Sequence, residues 1–227
     1  MTHVASALDA RTDNDYRLNF DVEYPDHLGR LSTAFRIVLA APILALVAIL
    51  AGADRFSGWS TSWGVEPWTV TVPDVSYAGG LLVLAPLLMI VTRRKYPRWW
   101  FDWNVGLLSL QSRVAAYLYL LRDEYPSTDD AQAVHLTVQY PDARQQLNRW
   151  MPLVKWLLAA PHYAVLLVLD LASIGAVVIA WFSILFSGRY PRALFEFNVG
   201  VLRWNYRAIA YAFLLATDEY PPFRLAK

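Results

Sequence analysis

Four long apolar runs dominate the hydrophobic pattern of this 227-residue chain. They cover about residues 31–52, 75–92, 151–169 and 171–188. A bilayer core of ~30 Å takes roughly 20 helical residues at ~1.5 Å each. The pattern therefore predicts four transmembrane helices, and the short interval at 170–174 predicts a tight hairpin between the last two.

The chain also repeats itself. The string "LNFDVEYPD" (18–26) returns as "VHLTVQYPD" (134–142), and residues 98–121 match residues 192–215 at 11 of 24 positions. A period of this kind indicates a duplicated structural unit. We therefore expect a flexible N-terminal tail (1–15) followed by two repeats, 16–127 and 128–227. The strands "LNFDVEY" and "HLTVQY" are the same element of the two copies, so we expect them to lie close together under the bundle, where pairing can satisfy their backbone groups.

The matched segments 98–121 and 192–215 are amphipathic, and they contain Arg113 and Arg207. An arginine at mid-bilayer costs ~2.5–3.5 kcal/mol, so further membrane crossings are disfavoured. Helices lying in the membrane interface fit better. The predicted fold is an all-α integral membrane protein with four transmembrane helices in two parallel tandem repeats, each with an amphipathic interfacial helix and a short cytoplasmic strand.

Positive charge gives the orientation. Arginine and lysine precede the first and third runs and follow the second and fourth, whereas the connection 53–77 holds only Arg55. By the positive-inside rule both termini belong in the cytoplasm of a multi-pass protein. The first 20 residues lack the apolar stretch of a cleavable signal peptide.

Composition agrees with a membrane protein. The chain is 56% hydrophobic and 17% charged, against about 45–50% and about 25% in soluble domains. A net charge of +1 gives no reason to expect a nucleic-acid partner. The absence of cysteine excludes disulfides and thiolate nucleophiles.

Catalytic chemistry is not predicted. The sequence contains no nucleophile elbow, phosphate-binding glycine loop, dinucleotide fingerprint or zinc-protease motif. We therefore expect no enzyme activity, no metal and no cofactor. His162, near the middle of the third run, is the one candidate for a cofactor ligand or proton carrier. The alternative is a neutral histidine hydrogen-bonded to a neighbouring helix.

Two further groups of residues are candidates for specific roles. An interfacial arginine favours a carboxylate partner, so structural ion pairs are predicted among Arg113, Asp123 and Glu124 and among Arg207, Asp218 and Glu219. The connection 53–77 has no counterpart in the second repeat, and tryptophan is favoured at binding hot spots. Its aromatic residues form either a membrane anchor or a partner-docking patch: Phe56, Trp59, Trp63 and Trp68.

The second copy resembles a bacterial, mainly actinobacterial, membrane-protein family catalogued as domain of unknown function four-three-eight-nine. Arg203, Trp204, Arg207, Tyr211 and 221–223 carry the resemblance, which extends over about residues 16–223 in two tandem copies. The first copy departs from the pattern at Ser109, Leu110 and Ser127. The resemblance implies a bacterial plasma membrane and brings no activity with it.

These observations favour a non-catalytic accessory or scaffold subunit of a larger membrane complex, docking its partner through 53–77. Membrane lipids and other membrane-protein subunits are the expected partners. The alternative is a small transporter, or a carrier of lipid or another hydrophobic ligand, because internal repeats are common in such proteins.

Overall fold

The computed structural model describes residues 16–50, 78–128, 130 and 132–226. The predicted tail 1–15 and the outer connection 53–77, with Phe56, Trp59, Trp63 and Trp68, lie outside this range. The elements are β1 (Leu18–Val22), α1 (Arg30–Ala34), α2 (Arg36–Leu50), α3 (Ala78–Arg93), α4 (Arg98–Leu118), β2 (Val134–Val138), α5 (Met151–Leu158), α6 (Ala160–Ser187) and α7 (Arg192–Ala212).

The two strands pair with each other, as the repeat predicts. β1 and β2 are antiparallel, with Leu18 opposite Val138, Phe20 opposite Leu136 and Val22 opposite Val134. In the repeated string, Phe20 and Leu136 hold the same position. The register is therefore symmetric about this pair, and a local two-fold axis passes between the strands there.

α7 occupies the middle of the fold. On one side Phe20 of β1 meets Tyr206, with ring centroids 4.9 Å apart. On the other side Leu166 of α6 packs with Trp204 and Ala208. Most residues of α7 are buried in this way by other parts of the chain. α4, its counterpart in the first copy, packs against β2 and α2 but leaves Trp99 and Trp103 exposed.

The predicted hairpin at 170–174 is wrong. α6 continues without a break from Ala160 to Ser187, and after a slight irregularity at Ala159 it extends α5. The interval holds no proline to interrupt the helix. Its charged residue, Asp170, accepts a 2.8 Å hydrogen bond from Asn205 of α7 and so needs no solvent-exposed turn. α6 ends at Gly188, whose φ of 71° is the left-handed conformation usual at helix ends.

One helical stretch among the described residues is long and apolar enough to cross a membrane: Met151–Ser187, 37 residues. Arg36–Ala48 and Val83–Arg93 are apolar but shorter. The number of membrane crossings stays a prediction, as does the interfacial position of α4 and α7.

Candidate functional site

A buried arginine stands at the start of α2. The Arg36 side chain is almost fully buried, and its guanidinium carbon lies 4.2 Å from the ring centroid of Tyr117 in α4. Nη1 donates a 2.7 Å hydrogen bond to the carbonyl oxygen of Arg122, and Nη2 forms an ion pair with Asp123. Asp123 also accepts the backbone N–H of Gly29 at 2.5 Å.

The second copy builds the same arrangement around a lysine. Lys155 of α5 is fully buried, and its Nζ lies 5.3 Å from the ring centroid of Tyr211. Nζ donates a 2.7 Å hydrogen bond to the carbonyl oxygen of Thr217 and lies 2.6 Å from a carboxylate oxygen of Asp218. Asp218 in turn accepts the backbone N–H of Asn148.

These two charge centres connect the segment after α4 to the start of α2, and the segment after α7 to α5. In both, a buried base is held by an aromatic ring, a carbonyl oxygen and a carboxylate. A buried ion pair left without one partner is strongly destabilising, so such centres fix one arrangement of the chain. Their geometry indicates a structural junction.

The predicted partners of Arg113 and Arg207 are therefore wrong. Asp123 and Asp218 are engaged by Arg36 and Lys155, and the ion-pair partner of Glu124 is Arg122, at 2.6 Å. Glu219 is exposed. Arg36 and Lys155 match each other when the two "AAP" strings are aligned. That alignment was the signal that could have identified both bases.

Arg113 and Arg207 instead donate hydrogen bonds to backbone carbonyl oxygens. Arg113 Nη1 donates to the carbonyl oxygen of Ser127 at 2.6 Å. Arg207 Nη1 and Nη2 donate to the carbonyl oxygens of Arg224 (3.3 Å) and Ala226 (3.0 Å). Burial and the neighbouring Arg203 and Arg224 guanidinium groups lower the pKa of Arg207 to about 10. Each arginine thus restrains the chain that follows a "DEYP" string.

Arg203 makes a related bridge from the centre of α7. Its Nε donates to the carbonyl oxygen of Phe20 in β1, and Nη1 donates to that of Leu225, both at 2.9 Å. Nη2 lies 3.3 Å from Asp21. The position is serine in the first copy. This arginine connects the sheet, α7 and the C-terminal segment.

His162 lies in an aromatic enclosure. The ring is fully buried; it stacks on Phe223 at a centroid distance of 4.1 Å, and Tyr220 lies 4.7 Å away. Trp204 Nε1 donates a 3.0 Å hydrogen bond to His162 Nδ1. The corresponding residues of the first copy, Ile43 and Leu110, belong to one buried apolar cluster.

The tryptophan contact determines which tautomer is present. Because an indole N–H can only donate, Nδ1 must be the acceptor and the ring hydrogen of neutral His162 belongs on Nε2. A metal bound at Nε2 would move that hydrogen to Nδ1, where it would meet the N–H of Trp204. The geometry therefore favours the neutral, hydrogen-bonded histidine over a cofactor ligand. No group of three or more metal-binding side chains occurs within the described ranges.

A family model described as Domain of unknown function (DUF4389) matches residues 149–224. The matched region includes α5, α6, α7 and the segment that covers His162, and hence the Lys155 centre. No curated protein and no solved structure matches the chain. Over residues 149–224, the chain is similar to a family whose description gives no activity.

Proposed function

We propose that this protein is a non-catalytic accessory or scaffold subunit of a larger complex, held in a bacterial plasma membrane by its apolar helices. The observation that carries the proposal is the outward face of α5 and α6. Its exposed fractions are 59% for Leu157, 63% for Leu167, 65% for Val168 and 79% for Phe186. Soluble monomers rarely expose such continuous apolar surface, whereas lipid covers it favourably.

The contacts of the ionisable groups support a scaffold. Arg36, Lys155, Arg203 and Arg207 are buried, and each donates hydrogen bonds to backbone carbonyl oxygens of a different segment. Their donors are thus used to join α2, α5, the sheet and the C-terminal segment. A protein whose buried bases hold its own backbone is suited to presenting a fixed surface to a partner.

Topology is the first test. In our proposal α2 and α3 cross the membrane, so the protein is multi-pass, with its N-terminus and the "DEYP" string at 123–126 in the cytoplasm. The expectation that the second string (218–221) and the C-terminus lie on the same side required the hairpin at 170–174, which the continuous α6 lacks. The chain contains no cysteine, so Ser62→Cys and Ser127→Cys each give one labelling site. In intact cells an impermeant maleimide should modify Ser62→Cys and spare Ser127→Cys until the cells are opened. Labelling of Ser127→Cys from outside would overturn this topology.

Partner docking is the second test. We propose that residues 53–77, with Phe56, Trp59, Trp63 and Trp68, bind another membrane-protein subunit on the non-cytoplasmic side. Shortening this connection should remove the partner from a mild-detergent preparation while the rest of the protein stays folded. Trp99→Ala is the control, because Trp99 is an exposed tryptophan outside the connection (66% exposed). Unchanged co-purification after shortening would leave the connection as a membrane anchor.

A carrier of lipid or another hydrophobic ligand is the second candidate function. The observation that favours it is an apolar cleft of about 270 Å³ between α1, α2, α4 and α6. Its size is close to the lower end of ligand pockets, about 300 Å³. If this candidate is correct, a lipid should co-purify in a fixed molar ratio after the protein is exchanged through several detergents.

A further inference from the structure

The cleft has mostly apolar walls. Ile37 of α2, Leu118 of α4 and Val177 and Val178 of α6 line it, together with the polar residues Thr33 and Arg36. The wall formed by α6 is fixed to α1, because Trp181 Nε1 donates a 3.1 Å hydrogen bond to the Thr33 carbonyl oxygen. This lining suits a flexible apolar chain that carries a polar group.

The two polar lining residues carry side-chain atoms that lack hydrogen-bond partners within the described part of the chain. They are Thr33 Oγ1 and Arg36 Nε, on side chains that are 0% and 2% exposed. An arginine Nε–H can only donate. Because an unsatisfied buried donor is costly, its presence in the lining of a cleft points to an acceptor supplied by a ligand.

Charge limits what that acceptor can be. The guanidinium of Arg36 already pairs with Asp123, so a second carboxylate would bring another buried negative charge next to the first. Repulsion and desolvation disfavour that arrangement. A neutral carbonyl oxygen can accept the hydrogen of Arg36 Nε without altering the charge balance.

We infer that the cleft binds the acyl ester of a membrane glycerolipid. The acyl chain lies along Ile37, Leu118, Val177 and Val178, and the ester carbonyl oxygen accepts hydrogen bonds from Arg36 Nε and Thr33 Oγ1. The inference rests on the proposed membrane location, which brings the cleft into contact with such lipids. It adds the chemical class of ligand and the two donors that recognise it.

Photo-crosslinking of the full-length protein in detergent micelles tests the inference. The probe is phosphatidylcholine with a diazirine on one acyl chain, and adducts are mapped by peptide mass spectrometry. Adducts should concentrate on Leu118, Val177 and Val178. Diester phosphatidylcholine should compete about tenfold better than its diether analogue, which lacks the carbonyl acceptor, because the two lost hydrogen bonds are together worth about this factor or more. Oleate should compete no better than the diether.

Two variants separate recognition from non-specific adsorption. Thr33→Val removes one of the two donors and should reduce the preference for diester over diether lipid to about threefold. Thr92→Val is the matched control and should keep the full preference, because the exposed Thr92 hydroxyl donates to the Leu88 carbonyl of its own helix. Should Thr33→Val not fold, Val178→Trp supplies the test. Val178 is 50% exposed, and the larger side chain should block the cleft and remove its adducts.

Several results would overturn the inference. One is equal competition by diester and diether lipids, and another is adducts spread over Leu167 and Phe186 without enrichment in the cleft. Carbonate extraction of cell membranes distinguishes this failure from failure of the proposed function. Protein that resists extraction but lacks cleft adducts refutes the lipid site alone. Protein released by carbonate refutes the membrane location, whatever the adducts show.

Discussion

Leu120 and Leu215, just after the ends of α4 and α7, adopt the same left-handed backbone conformation, with φ values of 61° and 56°. A leucine is rarely found there, since its Cβ crowds the backbone. Both side chains are buried, at 3% and 0% exposure, and packing offsets that cost. Two residues later the carbonyl oxygens of Arg122 and Thr217 accept hydrogen bonds from Arg36 and Lys155. The two copies thus use one turn to bring an acceptor to each buried base.

The Lys155 centre should be essential for stability. Asp218→Asn leaves the fully buried ammonium without its carboxylate, so it should lower the free energy of unfolding by about 3–5 kcal/mol. Denaturant unfolding in detergent measures this. Asp102→Asn is the control, because Arg98 and Asp102 form a solvent-exposed pair at 3.8 Å and should change stability by less than about 1 kcal/mol. Equal effects of the two substitutions would contradict a structural role for the centre.

The two repeated glycines should respond differently to alanine. A Cβ at Gly200 would lie 2.9 Å from Leu225 Cβ and 3.2 Å from the Leu225 carbonyl oxygen, whereas a Cβ at Gly106 meets nothing within 4 Å. Gly106→Ala should therefore stabilise α4 by up to ~1 kcal/mol, the usual gain inside a helix. Gly200→Ala should displace Leu225 and speed removal of C-terminal residues by carboxypeptidase. Equal digestion of the two variants would contradict the close contact.

The hydrogen bond between Trp204 and His162 can be tested with the residues of the first copy. His162→Ile alone leaves the buried indole N–H without its acceptor and should cost about 1–3 kcal/mol. Adding Trp204→Leu restores the apolar pair found at Ile43 and Leu110 and should recover part of that loss. If the two residues are not coupled, the double variant will be less stable than His162→Ile by the same amount that Trp204→Leu alone destabilises the unchanged protein. Thermal unfolding of the four proteins measures the coupling.

The unbroken α6 makes a distance prediction. Spin labels on Ala164→Cys and Phe186→Cys, both at exposed positions, are separated by 22 residues, or ~33 Å along a continuous helix. A hairpin at 170–174 would bring them to roughly 15 Å, because packed helices lie ~8–10 Å apart. A pulsed electron paramagnetic resonance measurement in detergent decides between the two values.

Alkaline pH should weaken the fold through Tyr190. Burial is the main cause that raises its pKa from 10.0 to about 12. Because the folded pKa is the higher one, stability is complete below pH 10 and is lost as the pH rises from 10 to about 12. Tyr190→Phe should lessen this loss in the thermal midpoint. Tyr125→Phe, at an exposed position (47%), should behave like the unchanged protein.

The internal repeat gave the sequence prediction that the structure confirms, the pairing of the two strands. Matching "LNFDVEYPD" with "VHLTVQYPD" predicted the pairing of β1 with β2, because equivalent strands of a duplicated unit lie around one axis. Hydrophobicity alone was less reliable. It placed a turn at 170–174, where Asp170 finds its partner on α7 instead. The ion-pair partners of Arg113 and Arg207 were mispredicted because they were chosen by closeness in the sequence. The fold instead brings Arg36 to Asp123 and Lys155 to Asp218, although these residues are far apart in the sequence.

The symmetric register of β1 and β2 has a consequence for assembly. A strand that pairs with its own equivalent about a central residue, Phe20 or Leu136, is self-complementary. Two separate polypeptides that each contained a single copy could therefore pair through the same strand edge. The sheet in this protein is equivalent to a homodimer interface contained within one polypeptide, and cutting the chain between the copies would turn an intramolecular contact into a concentration-dependent one.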